Sequence, residues 1–292
     1  PAGRKQVTAL LAALGFVVAM VFSLLQMGGI PKSGFNGLVM VDGLAVFLDV
    51  LFVSCGLLGT AVAVDYLKRV NLARGEYYIL LIFSVAGMML MSVAADLIIV
   101  FLSLELLSIP LYILSGLGCP KADCPRPNSG EAAVKYFLLG ALSGALVLYG
   151  VALAFGATGT TTLSGIAAAV ESGKANAMLL LVGGALIVAG FGFKVSLVPF
   201  HMWTPDVYQG APASLTAFMA VGAKAAGFAG LLRVLLIALP STSMPLATVL
   251  ATLAALTMIV ANFAAVTQTN IKRLLAYSSI AHAGYLATAV VA

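Results

Sequence analysis

Long apolar runs, separated by short polar stretches, follow one another along the whole chain. Crossing about 30 Å of hydrocarbon takes roughly 20 helical residues, so each run can span a membrane. The runs are too long and continuous for the alternating strands of a membrane barrel. The pattern predicts an all-α, polytopic integral membrane protein, a helical bundle of nine spans at about 7–27, 42–64, 77–93, 96–118, 131–155, 177–200, 212–239, 245–268 and 271–292.

One predicted span carries a charge and then the signs of a helix break. Lys194 lies near the end of the sixth run, and Pro199, Pro205 and Pro212 follow it at short intervals. Proline kinks or ends a helix, so we expect a broken helix near Lys194. Broken backbone at membrane depth requires protein or a water-filled cavity to satisfy the freed groups. Lys194 is therefore a candidate member of an ion path.

Composition supports the membrane assignment. Of the 292 residues, 62% are hydrophobic and 9% are charged, whereas a soluble domain is about one quarter charged. The net charge of +5 is then a topology signal, and we expect the lipid bilayer as a partner and no nucleic acid. The chain begins at Pro1 without methionine and ends at Ala292 inside an apolar run, so we expect it to be a fragment of a longer polypeptide.

The basic residues between the spans are distributed unequally. Lys32 and Lys174 alone fall on one side, whereas nine fall on the side of the N-terminus: Arg4, Lys5, Lys68, Arg69, Arg74, Lys121, Arg126, Lys272 and Arg273. Cytoplasmic loops carry the excess of lysine and arginine. This asymmetry predicts a multi-pass protein of the cell (inner) membrane with a cytoplasmic N-terminus.

Three charged residues lie deep within predicted spans: Glu105, Lys194 and Lys224. Each central charge costs about 2.5–3.5 kcal/mol when it faces lipid unpaired, so we expect pairing or use. Small residues flank both lysines, which favours close helix contact over lipid exposure. We interpret Glu105 as a partner that tunes a lysine; the alternative is a protonated or hydrogen-bonded carboxyl that serves packing.

Other polar residues of the spans leave two interpretations open. Lys135 either functions or forms an ordinary ion pair with Glu131, one helical turn earlier. His201 follows Lys194 by two turns if the helix continues, and His282 is also intramembrane; either histidine could relay protons or serve packing. For Arg233, near its helix end, we prefer a side chain that snorkels to the headgroups.

Three aspartates lie near the starts of spans. Asp42 and Asp96 occupy positions where an acid caps a helix and favours its dipole. Asp49 falls inside its span, and the sequence leaves its role as pairing, structural or functional unresolved. Gly140 and Gly144 form one GxxxG pattern, which we interpret as close helix packing.

Cofactor motifs are absent from the sequence. Gly190 and Gly192 do not make a dinucleotide fingerprint, and no P-loop, haem or iron–sulfur cluster motif occurs. Cys119 and Cys124 supply half of a zinc site, so we expect free thiols there, and Cys55 is interpreted as a small buried hydrophobe. We predict no cofactor and no metal in this chain.

Four motifs carry a resemblance to a known family. They are Leu104-Glu-Leu-Leu-Ser-Ile-Pro-Leu-Tyr112, Glu131-Ala-Ala-Val-Lys-Tyr-Phe-Leu-Leu-Gly140, Gly192-Phe-Lys-Val-Ser-Leu-Val-Pro-Phe-His-Met-Trp-Thr-Pro-Asp206 and Ile271-Lys-Arg-Leu-Leu-Ala-Tyr-Ser-Ser-Ile-Ala-His282. Together they resemble the antiporter-like membrane subunits of respiratory complex I, most of all the subunit N (subunit 2) group of bacterial NADH-quinone oxidoreductases.

The resemblance implies fourteen helices with two inverted five-helix repeats, each containing a broken helix with a key charge. The domain organisation expected here is N-terminal helices at 1–76, a first antiporter-like repeat at 77–239 and a truncated second repeat at 240–292. The resemblance also assigns family positions to a set of residues that we predict as a proton path together with His282: Glu105, Glu131, Lys135, Lys194, His201 and Lys224.

The function that the resemblance implies is proton translocation coupled to quinone reduction. NADH, flavin, iron–sulfur clusters and quinone are then expected in other subunits, and other membrane subunits of the same complex are the expected partners. Two alternatives remain. One is a subunit of a multisubunit sodium/proton antiporter, and the other is a structural membrane subunit.

Overall fold

The computed structural model describes residues 2–70, 72, 74–117, 129–239 and 246–291, with side chains from residue 7 onward. Within these ranges, nine helical segments are long and apolar enough to cross a membrane. The bundle of nine predicted spans is therefore confirmed. Cys119, Cys124, Lys121 and Arg126 lie outside the described residues, as do the side chains of Arg4 and Lys5.

The described elements follow one another in this order: α1 (Ala2–Leu25), β1 (Lys32–Gly34), β2 (Val39–Val41), α2 (Gly43–Arg69), α3 (Gly75–Ser92), α4 (Leu97–Ser115), α5 (Ser129–Thr158), α6 (Leu163–Glu171), α7 (Ala177–Val195), α8 (Trp203–Gly210), α9 (Ala213–Phe218), α10 (Lys224–Arg233), α11 (Leu246–Val266) and α12 (Ile271–Val291). Two π-helical turns, Met219–Ala223 and Val234–Ala238, flank α10 and continue its span.

One end of the bundle is closed by the β1–β2 hairpin, and we call it the hairpin end. The two strands pair antiparallel, with Ser33 opposite Met40. The amide of Met40 donates to the carbonyl of Val93 at 2.8 Å, and the amide of Leu97 donates to Thr161 at 2.9 Å. These bonds join the α1–α2, α3–α4 and α5–α6 connections at the hairpin end. The short hairpin and α6 were not predicted, because neither has an apolar run of spanning length.

The predicted helix caps are confirmed. The Asp42 carboxylate accepts from the amide of Ala45 and the Asp96 carboxylate from the amide of Ile98, each at 2.8 Å. Asp96 also accepts from the Thr161 hydroxyl at 2.7 Å. Both acids therefore satisfy free backbone donors at the first turns of α2 and α4.

Glycines set the distance between α5 and α7. A Cβ atom on Gly150 would lie 2.7 Å from the carbonyl oxygen of Gly183, so a side chain there would force the helices apart. Further along the same contact, the Ser143 hydroxyl donates to the carbonyl of Gly190 at 2.9 Å. This close approach brings the end of α7, with its lysine, against the middle of α5.

Candidate functional site

The helix that carries Lys194 ends one residue later. Ser196 adopts a left-handed conformation at φ 66°, and the amides of Ser196 and Leu197 donate back to Phe193 and Gly192 at 3.1 and 2.8 Å. This is the bond pattern of a Schellman motif. The Trp203 indole satisfies the Phe193 carbonyl again at 2.9 Å. The predicted break is confirmed, and protein groups stabilise it.

Lys194 is buried without a counterion in the described part of the chain. Lys194 is 4% exposed, and its Nζ donates to the Tyr112 hydroxyl at 3.2 Å. The Nζ also lies 5.2, 5.8 and 5.9 Å from the ring centroids of Tyr112, Tyr136 and Phe193. A phenol and three ring faces stabilise an ammonium group less than a carboxylate does. The site therefore suits a group that exchanges its proton.

Glu105 lies in the same groove but forms no ion pair with Lys194 among the described residues. Its carboxylate rests against Gly144 of α5, and Tyr112, seven residues later on the same face of α4, rests against Gly140. The GxxxG pattern is confirmed as a close packing site. It makes room for two polar side chains of α4, and the Tyr112 hydroxyl joins that face to Lys194.

Tyr112 is one of the site residues that were not predicted from the sequence. It is 5% exposed, and its ring packs edge-on against Tyr136 at 4.6 Å between centroids. The usable signal was its spacing of seven residues from Glu105, which places both side chains on one face of a helix.

Lys224 is the second buried lysine, 5% exposed and located where a π-helical turn meets α10. Its Nζ donates to the backbone carbonyl and to the hydroxyl of Ser279, both at 2.8 Å, and lies 5.7 Å from the Tyr208 ring. These acceptors are neutral. Lys224 therefore connects its span to α12 without charge compensation, in a π-helical context common at functional sites.

Lys135 takes part in a larger ion cluster than the sequence predicted. Its Nζ lies 2.7 Å from Glu131 Oε1, which confirms the one-turn pair, and 2.7 Å from Asp206 Oδ2. Asp206 also pairs with Arg273 at 2.6 Å. We call these four residues the Asp206 cluster. It joins α5, α8 and α12, and the Lys135 side chain is 43% exposed.

Asp206 holds the charges of this cluster together. Burial raises the pKa of Asp206, but hydrogen bonds from Lys135 and Arg273 outweigh burial and lower the pKa below its ordinary value of 3.8. The carboxylate is therefore ionised at neutral pH. Its partners come from two other helices, which the sequence analysis did not anticipate.

The two histidines occupy different surroundings. His201 lies in the segment after the break. The left-handed Ser196 ends the Lys194 helix, so His201 does not share a helix face with Lys194. Within the described ranges, the His201 Nδ1 is buried without a hydrogen-bond partner, and burial lowers the pKa of this imidazole. His282 lies on the exposed face of α12 with its ring 5.5 Å from Tyr285, and the structure does not bring it to the lysines.

The predicted snorkelling of Arg233 is wrong. The residue is 2% exposed, and its Nη1 and Nη2 donate to the two Asp42 oxygens at 2.6 and 2.8 Å. Its Nε and Nη2 also donate to the Ser92 carbonyl at 2.9 and 2.6 Å. Burial raises the pKa of Asp42, but the bond to Arg233 contributes to a net lowering below 3.8. The two parallel hydrogen bonds to the Asp42 carboxylate hold the Arg233 guanidinium inside the bundle, so the side chain does not extend to the lipid headgroups.

The described residues include no group of three or more histidines, cysteines, aspartates and glutamates that could hold a metal. Cys55 is a free thiol, partly buried on α2. What the site offers is a set of protonatable side chains, two of them buried lysines.

A family model described as NADH:quinone oxidoreductase/Mrp antiporter, TM, matches residues 94–292. The chain belongs to this family. Members of the NADH:quinone oxidoreductase/Mrp antiporter family share the helical membrane fold described above, and the multi-pass membrane protein predicted from the sequence is confirmed.

Individual relatives agree with this membership. The chain is 47% identical over 289 residues to NADH-quinone oxidoreductase subunit N of Chloroflexus aggregans, which covers 98% of this chain and 58% of that relative. It superposes on a chain of respiratory complex I from Thermus thermophilus with a TM-score of 0.81 at 39% identity, covering 98% of this chain and 59% of that one. The resemblance to the subunit N group is thereby confirmed.

A chain of the Mrp complex from Dietzia sp. superposes with a TM-score of 0.84 at 20% identity, covering 99% of this chain and 55% of that one. That likeness concerns the fold alone. The chain spans less than three fifths of the curated subunit N relatives that it matches first.

Proposed function

We propose that this chain translocates protons as a membrane subunit of an NADH-quinone oxidoreductase, coupling quinone reduction elsewhere in the complex to proton pumping. The observation that carries the proposal is the pair of buried lysines, Lys194 and Lys224, whose hydrogen bonds within the described residues all go to neutral oxygens. A buried ammonium group without a counterion is costly, so such residues in a membrane bundle mark proton pathways.

The mechanism is an electrostatic switch centred on Lys194. Approach of the Glu105 carboxylate would stabilise the ammonium form of Lys194, and separation would leave burial to favour the neutral amine. The released proton would then pass towards Lys224. The Tyr112 hydroxyl, which already accepts from Lys194, is positioned on the Glu105 face to keep the two groups coupled.

The remaining predicted residues have places in the same scheme. Lys135 and Glu131, in the half-exposed Asp206 cluster, would exchange protons with water at the end opposite the hairpin. His201, with its unpartnered Nδ1, would relay protons beside the break, and His282 is kept as a candidate relay on α12. We propose 77–239 as one repeat, between N-terminal helices at 1–76 and the start of a second repeat at 240–292.

The lysine and arginine distribution supports a cytoplasmic N-terminus, which puts the hairpin end on the outer side of the membrane. This chain would supply a proton path and no redox centre. NADH, flavin, iron–sulfur clusters and quinone would bind to other subunits, with which this chain would assemble.

Lys194→Met in the full-length protein, within its assembled complex, tests the proposal. Methionine keeps most of the side-chain volume and removes the protonatable group, so the complex should assemble while proton pumping is largely lost. Lys174→Met is the matched control, because Lys174 is exposed outside the spans. Wild-type pumping by a fully assembled Lys194→Met complex would remove Lys194 from the mechanism.

A sodium/proton antiporter subunit is the second candidate, because the matching family includes Mrp antiporters. The higher identity to the complex I chain, 39% against 20% for the Mrp chain, favours the oxidoreductase. Sodium-dependent proton flux in vesicles, without NADH oxidation, would favour the antiporter instead. A purely structural subunit would lose assembly in Lys194→Met and keep coupling in any residual complex.

A further inference from the structure

Asp49 is a buried carboxyl group near the hairpin end, away from the residues of the proposed path. Asp49 of α2 is 6% exposed, and its Oδ1 lies 2.5 Å from the hydroxyl of Ser92, the last residue of α3. Asp49 is two turns beyond the Asp42 cap, about 10 Å along the helix axis. The carboxyl is therefore inside the bundle and within reach of its hairpin end.

The two short contacts of the Ser92 hydroxyl cannot both be hydrogen bonds if Asp49 is ionised. The Ser92 Oγ lies 2.5 Å from Asp49 Oδ1 and 2.6 Å from the carbonyl oxygen of Met89. Both distances are those of hydroxyl hydrogen bonds, but a hydroxyl group has one proton to donate. If Asp49 carries a proton, it donates to Ser92 Oγ, and Ser92 donates to Met89. The geometry then accounts for both short contacts of the Ser92 hydroxyl.

The surrounding charges agree with a neutral carboxyl. Arg233 of α10 is the nearby cation, and its guanidinium is committed to both Asp42 oxygens and to the Ser92 carbonyl. Across the described residues, Arg233 forms an ion pair with Asp42 and not with Asp49. A buried carboxylate without an ion pair is unfavourable, so protonation resolves the charge as well as the hydrogen bonds.

We propose that Asp49 is a proton-binding site near the hairpin end of the bundle, and that it holds its proton in the arrangement described here. Its ligand is a proton taken from hydronium, which forms an O–H bond on Asp49 and leaves a water molecule; release reverses this step without any redox change. The Asp42 side chain, two turns earlier on the same helix, is 27% exposed, so the hairpin end offers the route for exchange with water.

Infrared spectroscopy of the full-length protein in its assembled complex tests the site without turnover, so the result is independent of the proposed pumping function. We expect the wild-type minus Asp49→Asn difference at mildly acidic pH to contain a protonated carboxyl C=O band that shifts in D2O. Asparagine has the shape of the protonated acid and can donate to Ser92, so the variant should assemble. If the difference spectrum instead shows that the variant has lost a carboxylate band, Asp49 is ionised and the proposal is overturned.

Two further variants keep the test independent of Asp49→Asn. Ser92→Ala removes the acceptor, so the carboxyl band should persist and shift to higher wavenumber; an unchanged band would overturn the proposal. Asp65→Asn is the matched control, because Asp65 is an exposed acid on the same helix. It should remove a carboxylate band and leave the protonated band intact.

Discussion

The buried lysines of this bundle and its buried or half-buried arginines are all basic, but their hydrogen-bond partners differ. Lys194 and Lys224 donate to a phenol, a carbonyl and a hydroxyl. Arg233 and Arg273 pair with aspartates at 2.6 Å. The arginine pairs tie together the helix ends, whereas the lysines lie where helices change direction or geometry.

The chemistry of the two side chains explains this division. Arginine stays charged under all physiological conditions and matches a carboxylate with two parallel bonds, so it holds distant segments together. Lysine gives up its proton when buried without a counterion. The paired arginines therefore serve structure, and we propose that the unpaired buried lysines exchange protons. This distinction can be tested on each side.

Arg233→Met should have the largest effect on stability. It leaves Asp42 without its bidentate partner and the Ser92 carbonyl without its donor, and breaking a buried pair costs about 3 kcal/mol or more. We expect a marked fall in the amount of assembled complex and in its thermal stability. Arg233→Lys keeps the positive charge but cannot form the bidentate pair with Asp42, so it should lose less stability.

The comparison with Lys194→Met makes this prediction specific. The lysine variant should assemble and fail to pump, and the arginine variant should fail to assemble. If Arg233→Met assembles normally and loses pumping, Arg233 belongs with the proton path, and the division between the two kinds of cation is wrong.

Ser279→Ala should have an intermediate effect. It removes one of the two acceptors of Lys224 and leaves the backbone carbonyl, which should cost about 1 kcal/mol of stability. We expect proton pumping to fall less than in Lys194→Met. Ser278→Ala is the matched control, since the structure gives Ser278 no bond to Lys224. An identical loss in both variants would indicate a general disturbance of α12 and contradict a specific role for the Lys224 bond.

Much of the fold follows from the sequence, because the length of an apolar run decides whether a helix can cross the membrane. The break after Lys194 was predictable from the prolines that follow it, and the caps Asp42 and Asp96 from their positions before apolar runs. These features depend on local chemistry. The hairpin and α6 were missed because both are too short to span the membrane, and only runs of spanning length were assigned.

The partners of the buried charges were not predictable in the same way. The depth of Arg233 in its span indicates that the charge needs compensation, but its partner Asp42 lies 191 residues away. Asp206 likewise meets Lys135 and Arg273 at separations of 71 and 67 residues. Which acid reaches which base is decided by helix packing. The proton-path roles of Glu105, Lys194 and Lys224 stay predictions.

Asp206→Asn should have the smallest effect, because the Asp206 side chain is 33% exposed and water screens its ion pairs. We expect a loss of about 1 kcal/mol or less at neutral pH. The pKa of Asp206 is lowered in the folded protein from 3.8, so its stabilisation is complete above that value and disappears as pH falls through the folded pKa. Thermal unfolding of wild type and variant should therefore differ near neutral pH and converge in acid. Glu171→Gln, at an exposed acid of α6, is the control. A difference that persists at low pH would show that Asp206 acts through packing and not through its charge.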